Sequence, residues 1–303
     1  MVGMAVMLSV MGSLIIGAQN DPAKPAPPTG EIATWEYRID RVSASHVFTE
    51  GPVWSAEGWL YFSDVPNNRI HRFVPGKGTN VFREEPVGTN GNTIDAQGRL
   101  LSCESRTRRV TRTDLKSGKV EILAEKFEGK RFNAPNDIVA RKDGFIWFTD
   151  PAFGDQAAKR EMDYYGIYRI SPRGEVTLVT KTKGRPNGVT LSPNGRILYV
   201  ADTDERKLRA WDLDRQANAI NERVLIEGID GPPDGIRSDE KGNIYITANQ
   251  LAVYSPQGKL IRSLPFPETP RNVSFGEPDN QTIYVTAYTS VYRLRWPVAG
   301  ARF

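Results

Sequence analysis

The chain has 303 residues with 39% hydrophobic and 10% aromatic content, enough for a sizeable core, and its net charge is +4. Because the basic residues are scattered, they do not indicate the continuous patch of a nucleic-acid interface. The single cysteine excludes an intramolecular disulfide, and two histidines, His46 and His71, are too few for a His-rich catalytic zinc site. No GxSxG, HExxH, P-loop or GxGxxG motif is present, which disfavours the common hydrolase and nucleotide chemistries.

The N-terminal segment, residues 1–18, has no charged side chain and is rich in apolar ones. Gly17 and Ala18 precede a polar stretch and offer a cleavage site, so we predict a signal peptide over 1–18 and a proline-rich linker over 19–33. The basic start typical of signal peptides is missing, which leaves a short membrane anchor or a misassigned start as alternatives. We expect an exported protein, periplasmic or secreted, with no stable membrane insertion after cleavage. It would be cytoplasmic if the segment is not a signal.

Beyond the linker, strand-like runs recur at intervals of roughly 40 to 50 residues, with almost no helical periodicity. Each of six similar runs follows a turn, and five of these turns contain the glycine that tight hairpins favour. This repeat is typical of the four-stranded blades of a β-propeller. The runs are Leu60–Ser63, Arg99–Ser102, Phe145–Phe148, Ile197–Val200, Asn243–Ile246 and Thr282–Val285.

A polar residue stands eight positions before each turn glycine, or before Asn280 in the sixth turn, which lacks glycine. Asn and Asp also form turns, so any one of these residues has a simple structural explanation. Six equivalent positions, each at the start of the innermost strand of a blade, instead indicate a shared site on the propeller axis. We call these residues the polar set: Glu50, Asn90, Asn136, Asn187, Asp234 and Asn272.

A propeller must join its first and last blades, because an open ring leaves exposed strand edges. The last blade has three clear strands, and the segment Trp35–Val42 has strand character without a partner. We predict that this segment completes the last blade as its outer strand. The sequence therefore predicts an all-β fold, a six-bladed β-propeller closed by an N-terminal strand, in a single domain over residues 34–303.

The polar set contains oxygen donors without sulfur or imidazole, which favours a hard divalent cation. Ca²⁺ suits six to eight such oxygens, and Mg²⁺, Mn²⁺ or Zn²⁺ are alternatives. A cation with open positions would polarise a substrate carbonyl and activate water. We predict Asp234 as the catalytic base and Asp137 as the second candidate, although Asp137 has turn formation or orientation of Asn136 as alternative roles.

At these residues the chain resembles the gluconolactonase and regucalcin (senescence marker protein) family of metal-dependent propeller hydrolases. The likeness covers about residues 40–297. It implies a lactonase in which Glu50, Asn187 and Asp234 bind the metal, Asn136 binds metal or substrate, and Asp234 accepts the proton. The matching segments are Glu50–Trp54, Leu60–Asp64, Phe132–Asp137, Trp147–Pro151, Arg185–Gly188 and Pro233–Gly235.

The expected substrate is a small sugar lactone such as gluconolactone, contacted by Asn136, Asn90, Asn272 and Arg131. Two rival functions use the same fold and ion: phosphotriester hydrolysis, and ligand binding by a non-catalytic propeller with a structural ion. A metal-free propeller resembling strictosidine synthase is disfavoured by the joint presence of Glu50, Asn136, Asn187 and Asp234. The sequence gives no indication of the oligomeric state.

Overall fold

The structure, a computed structural model, describes residues 37–303. The predicted signal peptide and linker, and the first two residues of the predicted closing strand, lie outside the described residues. Among residues 37–303, no helix has the length and apolar character that crossing a membrane would require.

Six four-stranded antiparallel sheets form the blades, which confirms the predicted six-bladed propeller. From the axis outward, the first three blades comprise β2 (Thr49–Ser55), β3 (Trp59–Asp64), β4 (Arg69–Val74) and β5 (Gly78–Glu84); β6 (Thr89–Ile94), β7 (Leu100–Glu104), β8 (Arg109–Thr113) and β9 (Val120–Ala124); and β12 (Ile138–Ala140), β13 (Ile146–Asp150), β14 (Tyr165–Ile170) and β15 (Val176–Thr182).

The other three blades continue the same order around the axis. They comprise β16 (Pro186–Leu191), β17 (Ile197–Asp202), β18 (Lys207–Leu213) and β19 (Ala219–Ile226); β20 (Ile236–Ser238), β21 (Ile244–Thr247), β22 (Leu251–Tyr254) and β23 (Leu260–Leu264); and β24 (Asn272–Gly276), β25 (Thr282–Ala287), β26 (Ser290–Arg295) and β1 (Asp40–Ser43). A small hairpin, β10 (Lys126–Phe127) with β11 (Lys130–Arg131), and a 3-10 helix, Gly154–Lys159, lie in connections.

The ring is closed by the strand that the sequence predicted. β1 pairs antiparallel with β26, with Asp40 opposite Arg293 and Arg41 opposite Tyr292. The outer strand of the sixth blade is therefore supplied by a segment that precedes the first blade in the chain. Each innermost strand contacts the innermost strands of both neighbouring blades, including β2 against β24, so the ring is continuous.

The hydrophobic core lies between neighbouring blades. The six predicted runs fall in the second strand of each blade, where alternate side chains point to opposite faces of the sheet. Trp147 of the third blade, for example, is fully buried in a cluster with Val189 and Leu198 of the fourth. Burial of each such large side chain stabilises the fold by about 2–3 kcal/mol. This packing fixes the blades around the axis and so fixes the positions of the innermost strands.

Candidate active site on the propeller axis

The structure places every member of the polar set at or just before the start of an innermost strand. Asn272 is the first residue of β24, and Glu50, Asn90 and Asn187 are the second residues of β2, β6 and β16. Asn136 and Asp234 each stand two residues before β12 and β20. All six positions therefore lie at the same end of the ring of innermost strands.

A local irregularity follows the polar residue in three of the blades. The pairing register shifts between Glu50 and Val53, between Thr89 and Asn92, and between Pro186 and Val189. An extra residue at such a bulge breaks the ladder and turns the side chain away from the plane of the sheet. The strand starts are thereby shaped to direct polar side chains rather than to continue the regular pairing.

Glycines let the polar residues of neighbouring blades approach each other. A Cβ on Gly51 would lie 2.2 Å from the Asn90 carbonyl oxygen, and one on Gly188 would lie 2.4 Å from the Asp234 carbonyl oxygen. Gly188 also donates a backbone hydrogen bond to that oxygen at 3.0 Å. The glycine after a polar residue is therefore required by the contact with the next blade, a reason that the sequence pattern did not reveal.

Hydroxyl groups of the second strands add further links around the ring. Ser63 donates to the Asn90 carbonyl, and Thr149 donates to the Asn187 carbonyl, both at 2.7 Å. Asn272 closes the circle by donating its side-chain amide to Glu50 Oε2 at 3.0 Å. The polar set is thus held by direct contacts between consecutive blades.

Glu50 is a buried carboxyl with one oxygen held by the protein. Its Oε2 accepts hydrogen bonds from the Gly51 amide at 2.9 Å and from Asn272, and no described residue donates to Oε1. Burial, with the nearby charge of Asp234 next in importance, raises the pKa of Glu50 well above its ordinary value. The two carboxylates predicted as metal ligands are therefore close enough to repel each other.

Asp234 is the more accessible of these two carboxylates, with 14% of its side chain exposed. Arg271 lies 3.5 Å from Asp234 Oδ2, and the neighbouring Asn187 side chain lowers the pKa of the same carboxyl group. Burial raises the pKa of Asp234 to about 7, while Arg271 opposes the rise. Arg271 is itself held by stacking on Tyr288, with its guanidinium carbon 4.1 Å from the ring centroid.

Asp137, which follows Asn136 in the chain, is fully buried. Its Oδ2 accepts the Val189 amide at 3.1 Å and lies 3.5 Å from Arg237, whereas its buried Oδ1 has no hydrogen-bond partner among residues 37–303. Burial raises the pKa of Asp137, with Arg237 acting in the opposite direction. The contact with Val189 ties the third blade to the fourth.

The neutral members of the set differ in how far their side chains are already engaged. Asn272 is committed to Glu50, and Asn187 donates to Thr203 Oγ1 at 3.1 Å as well as contacting Asp234. Asn136 is buried. The Asn90 side chain is half-buried and has no hydrogen bond to the described residues, which leaves it available to a ligand.

Arg131, the remaining predicted substrate contact, lies on the exposed β10–β11 hairpin. Its guanidinium donates to the Thr107 carbonyl at 2.6 Å, and its backbone amide donates to Glu161. None of these contacts joins Arg131 to the polar set.

The prediction missed the acids that hold the segments in front of the polar residues. Asp150, at the end of β13, accepts the Asn133 and Ala134 amides at 2.8 Å, just before Asn136. Asp64, at the end of β3, likewise accepts the Val47 and Phe48 amides before Glu50. The recurring Asp after the second strand was the available signal. Arg237 was missed as well, and its position in the innermost strand β20 was the only indication.

Comparisons with known proteins identify the family to which the chain belongs. A sequence model of the SMP-30/Gluconolactonase/LRE-like region matches residues 48–289. The chain is 31% identical to a gluconolactonase of Zymomonas mobilis subsp. mobilis, over 86% of this chain and 82% of the relative. It is 29% identical to the pentonolactonase XacC of Haloferax volcanii, over 78% and 80%.

A solved gluconolactonase structure from Xanthomonas campestris has the same fold. It superposes with a TM-score of 0.81 at 29% identity and covers 86% of this chain and 90% of that one. The family model spans most of the chain and every residue of the polar set. The protein is therefore a member of the SMP-30/gluconolactonase/LRE-like family.

Proposed function

We propose that this protein is a divalent-metal-dependent lactonase that opens a sugar lactone, with Ca²⁺ as its cation. The observation that carries the proposal is the convergence of Glu50, Asn187 and Asp234 on one end of the propeller axis. Relatives named gluconolactonase and pentonolactonase support the lactone as substrate class.

The residues of the site fit a divalent cation. Burial raises the pKa of both Glu50 and Asp234, the charges of Asp234 and Asp137 add to the rise at Glu50, and the charge of Asp137 adds to the rise at Asp234. A cation would offset this repulsion between the carboxylates. Glu50 Oε1 has no donor among the described residues, and carboxylate and amide oxygens are donors that Ca²⁺ prefers. Glu50, Asn187 and Asp234 would hold the ion, with Asn136 as a further ligand or a substrate contact. Mg²⁺, Mn²⁺ and Zn²⁺ are the alternatives.

When bound, the cation would supply electrophilic polarisation of the lactone carbonyl and lower the pKa of water. Asp234 would act as the base, because its carboxylate is partly exposed and lies beside Arg271. The attacking water forms the new C–O bond and gives one proton to Asp234. The ring C–O bond then breaks, the proton passes to the leaving oxygen, and the product is a hydroxy acid.

Other residues of the site would position these groups. Asp137 is fully buried and bound to Val189 and Arg237, contacts that favour orientation of the polar set over direct contact with substrate. Asn90 is free to hydrogen-bond a sugar hydroxyl, and Asn272 supports Glu50.

The test measures hydrolysis of glucono-1,5-lactone by the metal-stripped protein, with Ca²⁺, Mn²⁺, Mg²⁺ or Zn²⁺ added back. The acid that ring opening releases is the readout. We expect chelation to abolish turnover and Ca²⁺ to restore it. A five-carbon lactone and a phosphotriester serve as comparison substrates. Absence of metal-restorable activity on both lactones would refute the proposal, and hydrolysis of the phosphotriester alone would favour the rival function.

A further inference from the structure

The chain's two histidines meet at a buried carboxylate in the first blade. His46 lies in the connection between β1 and β2, Asp64 ends β3, and His71 lies in β4. One ligand atom from each residue lies within 4.8 Å of the others. We call His46, Asp64 and His71 the histidine cluster, and we propose that it is a second metal site, specific for Zn²⁺ or a similar borderline cation.

His71 supplies the observation that points to a ligand. The residue is 8% exposed, and its buried Nε2 has no hydrogen-bond partner among the described residues. Its ring is held by stacking on Phe62, at a centroid distance of 5.2 Å and an interplanar angle of 17°. A buried nitrogen without a partner is costly, and coordination of a cation would satisfy it.

His46 presents one ring nitrogen to Asp64 and hydrogen-bonds a hydroxyl oxygen through the other. Its Nε2 lies 2.7 Å from Ser43 Oγ, while its Nδ1 lies 3.6 Å from Asp64 Oδ2. A histidine that ligates through one nitrogen and hydrogen-bonds an oxygen through the other has its ring orientation and tautomer fixed. Ser43 would therefore hold His46 with Nδ1 free for the metal.

Asp64 is oriented by its surroundings in the same way. Its Oδ1 accepts the Val47 and Phe48 amides at 3.2 Å, and its Oδ2 accepts the Asn67 side-chain amide at 2.8 Å. Ligating carboxylates are commonly supported by such outer hydrogen bonds. All three members of the cluster are thus held by groups outside it.

The donor types separate this cluster from the polar set. Two imidazole nitrogens and one carboxylate oxygen suit Zn²⁺ and similar transition metals, whereas Ca²⁺ prefers oxygen alone. Ligands of tetrahedral Zn²⁺ stand about 3.4 Å apart, given bonds of about 2.1 Å. The ligand atoms would therefore draw together by roughly 1 Å on binding, and His46 is the one member of the cluster that lies outside the strands.

The position of the cluster gives the ion a structural role. His46 follows the closing strand β1, and Thr79 of the first blade donates to Ser43 at the end of that strand. A cation held by His46, Asp64 and His71 would fasten the connection after β1 to strands β3 and β4. Binding to the folded state alone would raise the Tm of the protein with Zn²⁺ concentration.

The test uses the whole chain without a polyhistidine tag, saturated with Ca²⁺, and titrated with ZnCl₂ by calorimetry and by thermal melting. Co²⁺ provides a spectroscopic probe through its visible absorption bands. We expect one Zn²⁺ per chain, a higher Tm, and at least tenfold weaker binding in His71→Gln and His46→Gln. Asp234→Asn, altered at the polar set, should bind Zn²⁺ as the wild type does.

Circular dichroism and Ca²⁺-dependent lactonase activity show whether the histidine variants remain folded. Unchanged Zn²⁺ affinity in folded His71→Gln and His46→Gln would overturn the proposal. Failure of the Ca²⁺-saturated wild type to bind Zn²⁺ at micromolar concentrations would do the same, as would loss of the binding in Asp234→Asn.

Discussion

Two carboxyl groups of similar chemistry have different surroundings at the axis. Glu50 is enclosed and receives hydrogen bonds from Gly51 and Asn272, while Asp234 is partly exposed beside the guanidinium of Arg271. An enclosed, fixed oxygen suits a metal ligand, whereas a base must reach the attacking water. The environment therefore favours Asp234 over Glu50 as the proton acceptor, although both are proposed ligands.

Replacement of Asp234 by Asn should lower kcat by at least about 100-fold at saturating Ca²⁺, because general bases contribute about 10²–10⁴-fold. The amide preserves the size of the side chain and removes its basicity. Initial rates of lactone opening measure the effect, together with Ca²⁺ affinity to separate catalysis from metal binding. The control is Arg112→Ala, which breaks only an exposed ion pair with Glu121 and should leave kcat unchanged. Equal kcat in both variants would argue against Asp234 as the base.

The buried carboxyl group of Asp150 should make the stability of the fold depend on pH. Burial raises the pKa of Asp150 to about 7 from 3.8, against the lowering effect of the Asn133 and Ala134 amides. The folded state thus holds a proton that the unfolded state releases above pH 4. The contribution of Asp150 to the unfolding free energy is therefore complete below pH 4 and is lost as the pH rises through about 7.

We therefore expect the unfolding free energy of the wild type to fall relative to Asp150→Asn between pH 4 and pH 8, by up to about 4 kcal/mol. The amide does not titrate, so the difference between the two pH profiles isolates this group. Urea denaturation across this range gives the measurement. Parallel profiles would show that the pKa of Asp150 is not raised in the folded protein.

The innermost strands depend on glycine for close contact between blades. Gly51 has a φ of 51°, and an added Cβ would meet the Asn90 carbonyl oxygen at 2.2 Å. Gly118 has a similar φ of 71° in an outer turn, where nothing lies within 4 Å of the added atom. The two glycines therefore differ in the space around them and not in the sign of φ.

Gly51→Ala should destabilise the protein by about 2 kcal/mol more than Gly118→Ala, because overpacking adds to the backbone strain that both share. The substitution should also weaken Ca²⁺ binding, because the backbone must move to relieve the clash and would displace Asn90 and Glu50. Chemical denaturation and Ca²⁺ titration of the two variants test this. Equal losses of stability in the two variants would mean that β2 and β6 can move apart at Gly51 without a free-energy cost.

The elements that the sequence predicted are those defined by local patterns. A turn, a run of buried residues and a fixed spacing to a polar residue recur in each blade, so the second strands and the placement of the polar set follow from them. Arg237 and Arg271 contact Asp137 and Asp234 across blade boundaries, and the meeting of His46 with His71 depends on the path of the connection after β1. Such contacts depend on the closed ring and have no local signature.

At the scale of the whole molecule, the ring and the site depend on the same closure. β1 covers the edge of β26, and the following connection leads directly into β2, which carries Glu50. Glu50 also hydrogen-bonds Asn272 of the last blade. The junction between first and last blades therefore bears one of the proposed metal ligands, and opening it would disturb the site as well as the fold.

Removal of β1 should thus reduce both stability and metal binding. A chain beginning at residue 44 leaves β26 as an unpaired edge and loses the contacts of Val42 with the buried cluster around Phe62 and Tyr284. We expect a lower Tm, concentration-dependent aggregation and weaker Ca²⁺ binding than in a matched chain beginning at Tyr37. Thermal melting, light scattering and Ca²⁺ titration compare the two. Equal Tm and Ca²⁺ affinity would show that the other three strands of the sixth blade are sufficient to hold Asn272 against Glu50.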